Sequence, residues 1–406
     1  MAQTLKFGNG NFATKAGSTL CYDDQNGNFK PIPMDFTRAS TATRVNKQGL
    51  IEVVKSNVPR IDYTDTTNGV LLLEKAATNL VTYSEYFSNG SWNKESGNQV
   101  INSNVETSPS NTLTADKLTV SSGSITTRKL WYQQSTTSGS EYTFSVYVKS
   151  VTGQVNTGFI SIAYLDANIN ETYFTATDIW QRVVVTATAN ATTTRFLITG
   201  DPNCQIYIWG AMLEQNSVAS SYIPSQGSAS TRVAETANGA GNSEVFNDSE
   251  GVLFCDIAAL VNSDTPRAIS ISDGTLNNRV YMYYSTNNVL EVTIKVSGTD
   301  QASFSSTLSD STLFNKLALK YKLNDFALWI NGFEVDFDLS GSVFSTNTLD
   351  RLNLSYPNEI YNLYAKTKEI GYYDTILTDL ELETLTSYKS WTSMVNELNL
   401  NIIYNG

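Results

Sequence analysis

Short runs of alternating apolar and polar residues, separated by clusters of Asn, Gly, Ser and Thr, fill this chain from end to end. A period of two sends successive side chains to opposite faces of an extended strand, and the clusters supply residues that reverse the backbone. The pattern predicts an all-β fold. Tyr142, Phe144, Val146 and Val148 alternate with Thr143, Ser145, Tyr147 and Lys149, giving one apolar face and one polar face with a single aromatic. Residues 159–166, 182–187 and 316–322 alternate in the same way, and 205–213 reads as a long buried strand. Asn331-Gly332 between 326–330 and 333–337 predicts a hairpin with a type I′ turn; Asn9-Gly10 and Asn26-Gly27 are expected to turn shorter strands. One helix is predicted near the C-terminus, where Thr378-Asp379-Leu380-Glu381 forms a capping box and Leu382 and Leu385 share a face.

A length of 406 residues fits two or three domains. Punctuation divides them: a β-rich docking or connector segment over 1–78, a β-sandwich over 79–224, a Ser/Ala/Gly-rich linker over 225–247, and a second sandwich with its helix over 248–406. Asn46-Lys47-Gln48-Gly49 is expected to turn a Thr/Ala/Val-rich run into a strand at 50–54, and Pro59 interrupts the pattern before Ile61-Asp62-Tyr63. The phrase Ala39-Ser40-Thr41-Ala42-Thr43-Arg44-Val45 returns, abbreviated, as Ala229-Ser230-Thr231-Arg232-Val233, which suggests two edge strands lying near each other.

The charge balance narrows the partners. A net charge of −12 repels a phosphate backbone, so no nucleic acid is expected. Only 16% of residues are charged while 22 are tyrosine, which leaves a surface of hydroxyls and amides suited to sugar contact. Cys21, Cys204 and Cys255 are far apart and without C-x-x-C spacing; free buried thiols are expected, a Cys204–Cys255 bridge being the alternative. The opening MAQTLKFGNGNF has neither a basic nor an apolar signal region, and no apolar run approaches the roughly 18 residues of a membrane span. Synthesis in a cytoplasm without a signal peptide, and no membrane insertion, are therefore expected, as for a protein released by lysis or an ordinary cytosolic one.

The absence of histidine removes Ser-His-Asp and Cys-His nucleophile schemes and imidazole metal sites. Paired carboxylates of the glycosidase kind remain: Asp23/Asp24, Asp336/Asp338 and Glu381/Glu383. All fall in turns, on a hairpin arm or at a helix start, so solvated structural roles are expected and no enzyme is predicted. No cofactor is expected either. Asp166, Asp201, Asp264 and Asp273 lie near loops where a structural calcium could brace a sandwich, with turn formation the default reading.

Three stretches carry resemblances. FTRASTAT, a Gly-Leu-Ile turn, VPRIDY, LLLE and TNLV follow one another between Asp35 and Trp92. This order resembles a segment that recurs in virion proteins of tailed bacteriophages, where it leads into carbohydrate-binding β-domains. YTFSVYVK, IWQRVVVT and IYIWGAMLEQ followed by SSYIPS are similar to jelly-roll carbohydrate-binding modules of phage fibres and glycoside hydrolases. The late NG hairpin and YYDTILTDLELETL look like a concanavalin A-like (laminin G-like) sandwich. The resemblance implies a virion surface protein, a head or tail fibre or decoration subunit. It also implies attachment to other virion proteins through 1–78, a homotrimer, and adhesion to host-surface or mucosal glycans. A decoration protein that binds no glycan and a polysaccharide-degrading appendage are the alternatives.

Sugar recognition needs aromatic faces for C–H-rich rings and amides or carboxylates for hydroxyls. In the middle domain Tyr147 stands on a polar strand face, and Tyr207 and Trp209 share one side of their strand, so one sheet face is expected to present all three. Trp131 and Tyr164 complete the candidate set; Trp180 and Trp209 are also plausible core residues. Tyr281, Tyr283 and Tyr284 cluster before Asn287-Asn288 and are expected to pack across strands.

Overall fold

The computed structural model describes residues 3–95, 97–124, 127–153, 156–164, 167–262, 266–286 and 288–401. The fold is all-β, as the alternation predicts, with short helices at Asp379–Thr386 and Trp391–Glu397. Its strands form two compact units. One comprises residues 1–39, 54–75 and 234–406; the other comprises 40–53 and 76–233.

In the first unit the two ends of the chain meet in a single sheet. Leu5–Gly8 pairs antiparallel with Ala365–Tyr373, and Glu250–Ala259 pairs with the other edge of that strand. Outward from there lie Ser18–Asp23, Lys30–Thr37 and Thr236–Asn238 on one side, and Asn315–Lys322, Phe326–Ile330 and Phe333–Asp338 on the other. A second sheet of five strands is ordered Thr299–Thr307, Val289–Val296, Arg279–Tyr284, Arg267–Ser272, Arg351–Asn353. Leu5, Phe7, Met34, Leu319 and Ile370 of the first sheet share a core with Val280, Met282 and Val292 of the second.

The local expectations hold here. Asn331 and Gly332 adopt φ of 50° and 93°, with Ile330 opposite Phe333, and a Cβ on Gly332 would lie 2.7 Å from Ser387 Oγ. Thr378 and Glu381 form the capping box, and Leu382 packs against Val252, Phe254 and Trp329.

The linear partition differs from the observed one. Residues 1–39 are inner and outer strands of the large sheet rather than a separate segment, and 225–247 is not a free linker. Ser230–Arg232 pairs with Ala77–Asn79, and Thr236–Asn238 pairs with Lys30–Thr37. Small polar residues look like linker, but they pair readily wherever an edge leaves backbone groups unsatisfied. The two related phrases do come close, since Val233 N donates to Ser40 Oγ at 3.0 Å. They do not pair with one another: Ala42–Val45 pairs with Ile51–Val54.

Where the chain leaves and re-enters the first unit, that unit holds a buried ion network. Arg38 donates to Glu235 Oε1 at 2.6 Å, Arg60 Nε to the same oxygen at 2.9 Å, and Arg60 NH2 to Glu235 Oε2. Arg60 also pairs with Glu74 at 2.8 Å, and Glu74 N donates to Glu235 Oε2 at 2.9 Å. Burial works against the Arg60 charge, yet Glu235 and Glu74 hold its guanidinium more firmly protonated than usual. Two arginines and two glutamates balance in a dry site where one unpaired charge would be costly.

The second unit is a β-sandwich of two five-stranded sheets. One runs Trp92–Lys94, Lys129–Ser135, Thr193–Gly200, Asn156–Tyr164, Ala167–Ala176; the other runs Gln99–Glu106, Ala115–Val120, Gln205–Glu214, Glu141–Ser150, Gln181–Thr188. Leu118, Phe144, Val146, Val148, Ile160, Ile162, Phe196 and Ile208 fill the space between them. All three cysteines are free and buried, and burial pushes the Cys204 thiol up to about 11. Among the described residues no helix is long and apolar enough to cross a membrane.

Candidate functional site

Tyr147, Trp209 and Tyr207 do share one outer face of the second unit. Tyr147 stands opposite Trp209 with ring centroids 5.5 Å apart, and Tyr207 lies opposite Lys149 and Lys117. That face is not an open platform. Ile51, Ala77, Met212, Tyr222 and Ile223 pack around Trp209, which is 1% exposed, and its Nε1 donates to Thr114 Oγ1 at 3.0 Å. The hairpin at 40–53 supplies part of the cover, with Ile51 N donating to Pro109 O at 2.9 Å. An aromatic pair left on an outer sheet face is apolar area, and covering it is favourable. Trp209 thus takes the core role its sequence also allowed, and Tyr147, expected on an open polar face, packs against it in a small second core, with Tyr207 half-buried beside them. Trp180 packs at its edge and donates from Nε1 to Thr107 O at 2.9 Å.

Trp131 and Tyr164 lie on the other sheet, so the structure does not unite the five candidates. Trp131 is opposite Leu197, and the Arg195 guanidinium sits 4.3 Å above its ring. Tyr164 ends the strand Asn156–Tyr164 and is exposed. One ring face of Trp131 is thus already covered by a cation.

A concave site appears at a place that periodicity does not mark. A cleft of about 550 Å³ in the second unit is lined by Tyr83, Glu85, Tyr86, Asn104, Thr114, Pro224, Ser225 and Gln226. Two irregular segments build it. Asn79 anchors them from below: its amide donates to Ala211 O and Ile223 O, and its Oδ1 accepts from Val81 N and Leu213 N. The segments are then cross-tied, Ser225 N donating to Ser84 Oγ at 2.9 Å and Ser84 N to Ser225 O at 3.2 Å. Asn104 is a left-handed residue with φ 57°, held by its N–H on Asp116 Oδ1 at 2.9 Å. Asp116 also accepts from Phe87 N at 3.1 Å, and burial pushes its carboxyl up. Asp116 therefore positions both walls without lining the cleft.

Inside the cleft, Tyr83 and Tyr86 meet edge to face at 6.3 Å, and Tyr86 is 47% exposed. Glu85 Oε1 accepts from Tyr222 OH at 2.8 Å. Burial first, and Glu85 second, raise the Tyr222 phenol well above its ordinary range, so it remains a donor and holds that carboxylate oriented. A fixed carboxylate, two amides (Asn104 and Gln226), a hydroxyl (Thr114) and an exposed ring make a sugar-sized polar-aromatic site. The signal in the sequence was the YSEY run of Tyr83–Tyr86, which sits in an aperiodic stretch and so escapes a search for strand faces.

The carboxylate pairs fall elsewhere. Asp23 and Asp24 pair with Lys30 at 3.0 Å and Lys6 at 2.5 Å. Asp336 and Asp338 lie on the exposed strand Phe333–Asp338, Glu381 closes the capping box, and Glu383 is on the same helix. Glu85 is the one carboxylate among the residues lining the cleft. Of the calcium candidates, Asp201 accepts from Thr157 Oγ1, and Asp273 accepts from Thr275 N and Asn278 Nδ2 at 2.8 Å each. Asp166 and Asp264 lie outside the described residues. Among the described residues no group of three or more Cys, Asp or Glu is arranged to hold a metal.

No protein-family model matches the sequence, and no curated protein matches it. Among solved structures the chain is similar to the CBM40 module of the Ruminococcus gnavus IT-sialidase, bound to α2,3 sialyllactose. That match has 15% identity, 37% of this chain and 93% of that chain covered, and a TM-score of 0.32. It is similar to the CBM22-1–CBM22-2 tandem of Paenibacillus barcinonensis Xyn10C at 10% identity, with 73% and 98% covered and a TM-score of 0.28. It is also similar to domains LG4-5 of the mouse laminin α1 chain at 10% identity, with 59% and 82% covered and a TM-score of 0.23.

Proposed function

We propose that this chain is a non-enzymatic glycan-binding protein of a tailed-bacteriophage particle, a head or tail fibre or decoration subunit. The cleft at Tyr83–Tyr86, Asn104 and Gln226 carries the proposal, because it combines an exposed ring with a fixed carboxylate and two amides in a volume suited to one or two sugar rings. Hydrolysis by paired carboxylates needs a second carboxyl across the glycosidic bond, and Glu85 has none facing it among the lining residues. The virion setting rests on the FTRAS–VPRIDY–LLLE resemblance. Attachment to other virion proteins is proposed through the N-terminal strands, whose cleft of about 620 Å³ is lined by Phe12, Tyr22, Phe29 and Lys30, with Phe29 73% exposed. A homotrimer is proposed as the assembly, so that weak sites gain by avidity.

A glycan array probed with the wild-type chain and with Tyr86→Ala/Gln226→Ala tests the binding site. The expected outcome is binding by the wild type, reduced about tenfold or more in the variant. No binding by the wild type would favour a decoration role without glycan contact. Immunogold labelling of intact particles tests the setting, with label expected on the particle surface.

A further inference from the structure

The first unit presents a second aromatic surface, on the outer face of its five-stranded sheet. Val280, Met282 and Tyr284 of the strand Arg279–Tyr284 point into the core, so Arg279, Tyr281 and Tyr283 point away from it. These three form a stack along the strand. The Arg279 guanidinium lies 4.5 Å over Tyr281, and the Tyr281 and Tyr283 rings are parallel within 5° at 5.5 Å. The stack begins on a buried cation and ends on Tyr283, which is half-buried.

Two further tyrosines extend the cluster. Tyr356 meets Tyr281 at 5.2 Å, Tyr283 at 6.3 Å and Tyr361 at 5.3 Å, each edge-on. Tyr361 is 44% exposed and has φ 52°, and Glu359 in the same loop has φ 62°. A left-handed backbone is unfavourable for a bulky residue, and such strain concentrates at ligand clamps. The loop is held in place by Ala268 N donating to Tyr361 O at 3.1 Å. Ala268, Tyr283, Glu291 and Ser305 stand side by side in one row across the sheet. Ala268 is buried on one side of Tyr283, against the loop that carries Tyr361, while Ser305 Oγ donates to Glu291 Oε1 at 3.2 Å on the other side.

We propose that this tyrosine face is a second binding site of the chain, for a neutral pyranose that stacks on Tyr283 and Tyr361 and hydrogen-bonds through its hydroxyls to Glu291 and Ser305. A ring face takes the C–H-rich side of a sugar, and a carboxylate with a hydroxyl takes vicinal hydroxyls. The Glu291 carboxylate beside the ring selects against an acidic sugar, because like charges are costly at this range. The site is independent of the cleft at Tyr86 and stands or falls without it.

Affinity electrophoresis of the full chain through gels containing dextran, mannan or xylan tests this. Four proteins are compared: wild type, Tyr283→Ala/Tyr361→Ala, Tyr86→Ala/Gln226→Ala, and the combination. Retardation by at least one polysaccharide is expected to weaken about tenfold on losing the two first-unit tyrosines, in both backgrounds. Glu291→Gln, which leaves the rings in place, is expected to weaken it less. Unaltered retardation in Tyr283→Ala/Tyr361→Ala, or no retardation of the wild type, overturns the proposal. Retardation lost only in the Tyr86→Ala/Gln226→Ala background would also overturn it while leaving the cleft reading intact. Retardation unaffected by the cleft changes but lost with the tyrosines would do the reverse.

Discussion

Asp256 shows how one buried carboxyl can set the pH response of a sheet. It sits on the strand Glu250–Ala259 opposite Lys316 and Glu369, with Lys368 and Glu397 also within electrostatic range. Burial pushes its carboxyl up to about 7, against the attraction of Lys368 and Lys316. Between its ordinary value of 3.8 and about 7 the folded chain keeps a proton that the unfolded chain has released. The contribution of this group is therefore fully present below that window and is lost as pH rises through about 7. Asp256→Asn is expected to raise the unfolding free energy at pH 8 by on the order of 1–3 kcal/mol, with the gain fading by pH 4. Denaturant titrations of both proteins at the two pH values would check it; equal stability at pH 8 would mean the lysines keep Asp256 charged at no cost.

At the scale of elements, the buried network ties segments that are remote in sequence. Arg38 and Glu235 are 197 residues apart, and Arg60 and Glu235 are 175 apart. Glu235→Gln leaves two guanidinium groups short of a partner in a dry site and is expected to cost about 3–5 kcal/mol by chemical denaturation. Adding Arg38→Met should cost less than the two single changes summed, since the charge imbalance is then relieved. These four residues also explain what the sequence could and could not reveal. Arg38, Arg60 and Glu74 fall in the FTRAS, VPRIDY and LLLE phrases, but as charges they look like any surface residues. Strands, the Asn331-Gly332 turn and the Thr378 capping box were legible because each is fixed by neighbours in sequence. The capping of Trp209 by the 40–53 hairpin was not, because alternation tells which side of a strand a residue takes and says nothing of what later covers it. The cleft at Tyr86 was hidden for a related reason: its walls are irregular segments held by Asn79 and Asp116, and no period marks them.

For the whole molecule, the same reasoning bears on truncation and on function. Residues 1–39 contribute Leu5–Gly8, Ser18–Asp23 and Lys30–Thr37 to the large sheet, and removing them uncovers the edge of Ala365–Tyr373 and part of the core. A chain lacking 1–39 is expected to lose the cooperative unfolding of the first unit, and size-exclusion chromatography should show aggregation through the exposed edge. A well-folded monomer would mean that the N-terminal strands are an accessory after all. The second unit is proposed to hold a glycan in its cleft and to leave it intact. Calorimetric titration with the strongest array ligand, followed by a reducing-end assay of the recovered sugar, tests this most directly. Saturable binding with Kd on the order of 10 μM to 1 mM, its loss in Tyr86→Ala/Gln226→Ala, and no new reducing ends are expected. Unchanged binding in that variant, or release of sugar by the wild type, would contradict it.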